Sequence, residues 1–158
     1  MAIYAPKASE NIWFKARERA MKFNDRFGSR EGASEELGIE RTRLARIETG
    51  VSTPHTDEVV MMSECYRAPE LRNYYCRECC PLGSNVPAIE DASLDRISVR
   101  AMSSLRKVSK VKEMLLDIVD DGIIDESEKP ELEEIIKTLD ELNEINQNLK
   151  CWSQKNLK

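Results

Sequence analysis

Apolar residues recur along this chain at steps of three and four, the period of helices that bury one face. From Asn11 the positions Trp13, Ala16, Ala20, Phe23 and Phe27 repeat in this way, with Phe14 and Met21 widening the stripe. The pattern predicts a first helix reaching to Gly28, which ends it, and Ser29 is placed to cap the next. A second helix is expected over 30–37, burying Ala33 and Leu37. Gly38 supplies a sharp turn, Ile39 returns the chain to the core, and a third helix follows over 40–48. Leu44 and Ile47 face inward on that helix, Arg41, Thr42, Arg43 and Ala45 outward, and Gly50 closes it. Beyond the loop 51–55, Val59, Val60, Met62 and Tyr66 sketch a fourth helix preceded by Thr56 or by His55, its stripe interrupted by Ser63 and Glu64. Pro69 opens a short fifth, with Leu71, Tyr74 and Tyr75 packing it back on the domain.

Pro81, Gly83, Ser84, Asn85 and Pro87 break the pattern, so 81–90 reads as a hinge. Two longer stripes follow. The first contains Leu94, Ile97, Ala101, Leu105, Val108, Val111, Leu115 and Ile118. The second contains Leu132, Ile135, Leu139, Leu142, Ile145, Leu149 and Trp152. They predict two amphipathic helices packed on each other or on a partner. The turn between them holds Asp121, Gly122, Ile124 and Glu128, a faint echo of a calcium loop without its alternating oxygen ligands, and is also read as an ordinary hairpin turn. The fold class is all-α: a domain over 10–80, the hinge 81–90, and a helical hairpin over 91–155. Met1 to Ser9 reads as an arm.

The segment Ser29-Arg-Glu-Gly-Ala-Ser-Glu-Glu-Leu-Gly-Ile-Glu-Arg-Thr-Arg-Leu-Ala-Arg-Ile-Glu-Thr-Gly50 resembles the XRE family of lambda-repressor-like helix-turn-helix regulators. The likeness spans roughly residues 11–67, with Ala33, Leu37, Gly38, Ile39, Leu44, Ile47, Glu48 and Gly50 at the positions that carry it. It implies a five-helix domain whose third helix enters the major groove of double-stranded DNA. Arg41, Thr42 and Arg43 are the implied base readers, with Arg46 one turn behind Thr42 reaching a base or the backbone, since guanidinium groups pair with guanine edges and Thr meets a methyl or polar edge. Ser29 and Arg30 are assigned to phosphate; many family members place a Gln where Arg30 stands. Gly38, Glu48 and Gly50 are structural, Glu48 looking like an acid that pairs with a base of the first helix, Arg17 or Arg19. The stretch 66–83 also looks like an extension of some regulators from Gram-positive bacteria and their mobile elements.

The net charge of −5 disfavours a nonspecific polyanion binder, but residues 1–50 hold ten Lys or Arg against eight Asp or Glu, and 51–158 hold fourteen against twenty-one. The cationic excess is therefore at the amino end, where the helix-turn-helix pattern lies. With 41% hydrophobic residues, 6% aromatics and a mean hydropathy of −0.54, the core is modest. No apolar run is long enough to span a bilayer and no signal-peptide core opens the chain, so the protein is expected to be cytoplasmic. Cys65, Cys76, Cys79, Cys80 and Cys151 are odd in number and clustered, which favours thiols over a disulfide framework. The first four, with His55 as a further candidate, are the only metal-like set. Adjacent Cys79 and Cys80 point apart on a helix, and neither a structural metal nor redox sensing is excluded. No cofactor is implied. One His and no phosphate-binding glycine loop leave no catalytic constellation, so an enzyme is not expected.

These readings converge on a sequence-specific transcriptional regulator, most simply a repressor, acting as a homodimer through 91–155 because one such domain touches few phosphates. The competing reading is an adaptor that keeps the helix-turn-helix scaffold and assembles through its hairpin without specific DNA binding.

Overall fold

A computed structural model describes residues 10–119 and 125–157. The chain is all-α, with no strand among the described residues, and divides into two compact units, 1–86 and 87–158. The amino-terminal arm and the glycine turn at 120–124, including Asp121, Gly122 and Ile124 of the calcium-loop reading, lie outside the described residues. No helix among them is long and apolar enough to cross a membrane.

In the first unit, α1 (Ile12–Ala20) starts where the Asn11 carboxamide accepts hydrogen bonds from the Trp13 and Phe14 amides at 2.9 and 3.3 Å. It is shorter than its apolar stripe. Asn24 adopts extended backbone, and its side chain accepts from the Arg26 amide, offering the chain a local alternative to helical bonding. A short 3-10 turn, Asp25–Gly28, follows. The expected continuous helix to Phe27 is therefore broken after Ala20. The bend carries Phe27 into the core, while Phe23 stays 44% exposed beneath the Arg67 guanidinium, 4.4 Å from the ring centre.

Helices α2 (Arg30–Leu37) and α3 (Arg41–Glu48) are joined at Gly38, whose φ of 67° lies in the left-handed region. A Cβ there would meet nothing within 4 Å, so the demand for glycine is one of backbone conformation alone. Gly38→Ala is expected to cost about 1–2 kcal/mol, lowering the melting temperature of the first unit by several degrees, with Gly38→Asn milder. Equal melting of the wild type and the Ala variant would overturn this account of the turn.

Helix α4 (Thr56–Cys65) begins with His55 at its cap, the Glu58 carboxylate accepting from the His55 amide at 2.6 Å. Helix α5 (Glu70–Tyr74) runs into a wider π turn, Tyr75–Cys79. Gly83 then folds back so closely that a Cβ would run into the Cys76 carbonyl. The helices enclose Leu44, Ile47, Met62 and Leu71, all fully buried, and Trp13 meets Tyr74 edge-on at 5.8 Å. Val60 of the expected α4 surface is outside, 42% exposed, and Ser63 is inside instead.

In the second unit, α6 (Leu94–Val119) and α7 (Lys129–Asn156) form an antiparallel hairpin, with Pro130 in the first turn of α7. Arg100 pairs with Glu144, Lys107 with Glu141 and Lys110 with Glu134, the numbers rising on one helix as they fall on the other. Ile97, Val111, Met114 and Ile118 are buried on α6, and Ile135, Ile145 and Cys151 on α7. Each sequence stripe is thus split: part forms the seam, while Leu105, Val108 and Leu115 of α6 and Leu139 and Leu149 of α7 are exposed. Both helices keep polar residues in the seam. Ser104, Thr138 and Asn148 are buried there, and Asn148 accepts from the Glu90 amide at 2.8 Å, which ties the segment before α6 to the end of α7.

Candidate nucleic-acid interface

Helix α3 has two unlike sides. Leu44, Ile47 and Glu48 are fully buried, and the Asn11 carboxamide donates to the Ile47 carbonyl at 3.1 Å, fastening the end of α3 to the start of α1. The other side presents Arg41, Thr42 and Arg46, all exposed, across an arc of about 140° at 100° per residue. Half-buried Ala45 lies within that arc, so the surface between the long side chains is shallow.

Glu48 is the anchor of this arrangement. Its carboxylate accepts from Arg17 Nε at 2.5 Å and Nη2 at 3.1 Å, and from Arg30 Nε at 2.7 Å. Arg17 also donates to the Phe27 carbonyl at 2.8 Å. Burial alone would favour a neutral guanidine, but the Glu48 contacts prevail and keep Arg17 charged. Of the two candidates for Glu48's partner, Arg17 fills the role and Arg19 pairs with Glu70 instead. Burial raises the Tyr66 hydroxyl pKa well beyond the ordinary tyrosine range, so it stays protonated beside this network.

The four arginine and threonine positions of α3 are not equivalent. Arg43 lies on the flank, its guanidinium held by Glu58 at 3.0 and 2.8 Å and by the Thr53 carbonyl at 3.0 Å. Arg41 and Arg46 have no ion pair among the described residues. The expected set of outward base readers is therefore divided: Arg41, Thr42 and Arg46 share the open face, while Arg43 links α3 to α4. Glu58 was not singled out from the sequence. Its position three residues into α4, after His55, is the signature of a capping residue, but nothing in the sequence indicates that it also reaches Arg43.

The phosphate candidates are partly engaged as well. Arg30 lends one edge to Glu48 and leaves its side chain 35% exposed, and the Ser29 hydroxyl accepts from the Gly32 amide at 3.0 Å. Helix α3 does not present free amides at its start, because the Glu40 carboxylate accepts from the Thr42 and Arg43 amides, both at 2.9 Å. Those backbone donors hold the Glu40 carboxyl below the usual carboxylate range. The amino end of α3 is thus occupied by its own cap.

Glu58 titrates against two opposed influences. Burial pushes its pKa up, but hydrogen bonds from Arg43 and the His55 amide outweigh burial and leave it lowered. A carboxyl lowered on folding contributes stability that is present above its unfolded pKa, about 4.3, and is lost as the pH falls through the lower folded value. Urea unfolding followed from about pH 5 to pH 3 should show a shallower loss of stability for Glu58→Gln than for the wild type. Parallel curves would show that the Arg43 clamp adds no acid-sensitive stability.

Among the described residues no three of His, Cys, Asp or Glu converge as a metal site. Cys76 is exposed, Cys65, Cys79 and Cys80 are partly buried, and Cys151 belongs to the second unit. Burial raises the thiol pKa of Cys65 and Cys79, which lowers their thiolate content and their nucleophilicity. His55 serves as the cap of α4. No family model, no curated protein and no solved structure matches this chain.

Proposed function

We propose that the first unit binds double-stranded DNA in a sequence-specific manner by laying α3 in the major groove, and that the chain is a transcriptional regulator of the XRE kind, acting as a dimer and repressing by occupying a promoter. The observation that carries this reading is the open face of α3, where Arg41, Thr42 and Arg46 stand exposed and neither arginine has an ion pair among the described residues. The opposite face is locked by Leu44, Ile47 and Glu48, so a helix about 10–12 Å across can enter a groove about 12 Å wide without unfolding anything. Arg41 and Arg46 supply forked donors to guanine edges, and Thr42 between them contacts a methyl or a polar edge. Arg43 braces the helix from the side. Arg30 and Ser29, at the start of α2, flank the groove and serve the backbone.

Selection of DNA sequences by the intact protein at several salt concentrations tests this. The expected product is a paired motif, with affinity falling as salt rises by about 0.9 in log–log slope for each phosphate contacted. Arg30→Ala should weaken binding to all sequences alike and reduce that slope. A folded protein that enriches no sequence even at low salt would overturn the proposal.

A second reading is a protein-interaction adaptor that assembles through residues 91–155, where Leu105 and Leu139 of the hairpin are exposed. Failure of DNA selection together with capture of a protein partner that Leu105→Glu abolishes would favour it.

A further inference from the structure

The arginines of α3 do not keep the same donors free. A guanidinium has five N–H groups, and reading guanine takes a fork of two of them, on different nitrogens, aimed at O6 and N7. Both forks use Nη2: one pairs it with Nε, the other with Nη1. On Arg43 the Nε hydrogen goes to Glu58 at 3.0 Å, while those of Nη2 go to Glu58 at 2.8 Å and to the Thr53 carbonyl at 3.0 Å. What remains is on Nη1 alone, so Arg43 has no fork left. Arg41 and Arg46, both exposed, have no ion pair among the described residues and keep their forks whole.

The clamp is fixed from the far side as well. The Glu58 oxygen that takes Arg43 Nη2 also accepts from the His55 amide at 2.6 Å, so the carboxylate is tied to the start of its own helix and cannot follow Arg43 toward a groove. The two side chains are only 26% and 13% exposed, and salt screens such a pair less than one on the open surface. Position on the helix does not exclude Arg43 from DNA. At 100° per residue it lies about 60° past Arg46 around α3, beside the open arc and within reach of it for a side chain of this length. Its contacts, and not its place in the helix, take it out of the reading set.

We infer that Glu58 determines the specificity of this unit without touching DNA: by holding Nε and Nη2 of Arg43 it leaves α3 with Arg41 and Arg46 as its guanine readers and keeps a third arginine from reading. Clamped, Arg43 offers only Nη1, which suits a phosphate oxygen and distinguishes no base. Released, it regains both forks and reads guanine like its neighbours. Glu58 is thus a positioning residue, and because its effect exists only where α3 lies in the groove, the inference rests on the DNA-binding reading.

Selection from random duplexes by the intact protein, wild type beside Glu58→Gln, tests this. Gln keeps an oxygen for the His55 amide, as a capping box allows, but it has no charge and one acceptor where the clamp used two. With unchanged far-UV circular dichroism, Glu58→Gln should select the wild-type motif plus guanine at one further position of the half-site, preferred about tenfold or more over the other bases. Glu58→Gln combined with Arg43→Ala should return to the wild-type motif. Glu58→Asp keeps a carboxylate at the cap but is one methylene shorter, and should add the same preference more weakly, so the answer does not hang on one variant. A residue that only braced α3 against α4 would, when changed, lower affinity for all sequences alike, and that result would overturn the inference. An added preference that survives Arg43→Ala would overturn it too. Wild type and Glu58→Gln selecting one identical motif would remove the role of Glu58 and leave the DNA-binding reading standing; neither selecting any sequence at low salt would end that reading and this inference with it.

Discussion

Replacing Glu48 with Ala is expected to remove about 3–5 kcal/mol from the first unit, the cost of breaking a buried ion pair from one side. Glu48 is fully buried and accepts from two arginines. Its loss would strand the Arg17 guanidinium, itself 5% exposed, with only the Phe27 carbonyl and the Phe14 ring face for company. At about 4–8 °C per kcal/mol for a domain of this size, melting should fall by more than ten degrees. Trp13, buried in this unit, reports the transition once Trp152 is replaced by Phe. Arg30→Ala should cost far less, because Arg30 is partly exposed and Arg17 still neutralises the carboxylate. A Glu48→Ala protein within about 1 kcal/mol of the wild type would mean that water or a shifted side chain satisfies Arg17. Glu48 could then no longer be considered the anchor of α3.

The second large effect concerns the open face of α3. Arg41→Ala and Arg46→Ala should each weaken specific DNA binding by about 1–3 kcal/mol, roughly 10- to 100-fold, and relax selection at the base each one reads. The double variant should approach nonspecific affinity while melting like the wild type, because neither side chain has an ion pair among the described residues. Arg43→Ala is the informative contrast. Its guanidinium is already bonded to Glu58 and Thr53, so its removal should disturb the α3–α4 connection and weaken binding without changing which base is preferred. Competition binding with single-base variants of the selected site distinguishes the outcomes. A specific change of base preference in Arg43→Ala, with none in Arg41→Ala and Arg46→Ala, would reverse the assignment.

The difference between Arg43 and its neighbours marks how far the sequence can be read. Helical spacing distinguishes Leu44 and Ile47, inside, from Arg41, Thr42 and Arg46, outside, because one helix turn fixes their angles. It puts Arg43 outward with them, among the base readers, and cannot say what meets it. The clamp depends on Glu58, fifteen residues away on another helix. In the same way the apolar repeat past Ala20 suggested one long helix, and the Asn24 side chain, competing with the backbone, broke it. In the hairpin, the period found both helices, but a stripe wide enough for two contacts does not reveal which half faces the neighbouring helix.

By itself the sequence determined the all-α character, the turn at Gly38, the inward and outward sides of α3 and the presence of two long amphipathic helices. Each follows from a local cause, the period of apolar residues or the backbone freedom of glycine. Only the tertiary structure decided that Arg17 rather than Arg19 meets Glu48, that Arg43 is held by Glu58, that Glu40 occupies the start of α3, and that one side of the hairpin is ion-paired while the other leaves Leu105, Val108 and Leu139 exposed. Those outcomes depend on distances between residues far apart in the chain. Such distances are set by how whole helices pack, and no periodicity within a single helix encodes them.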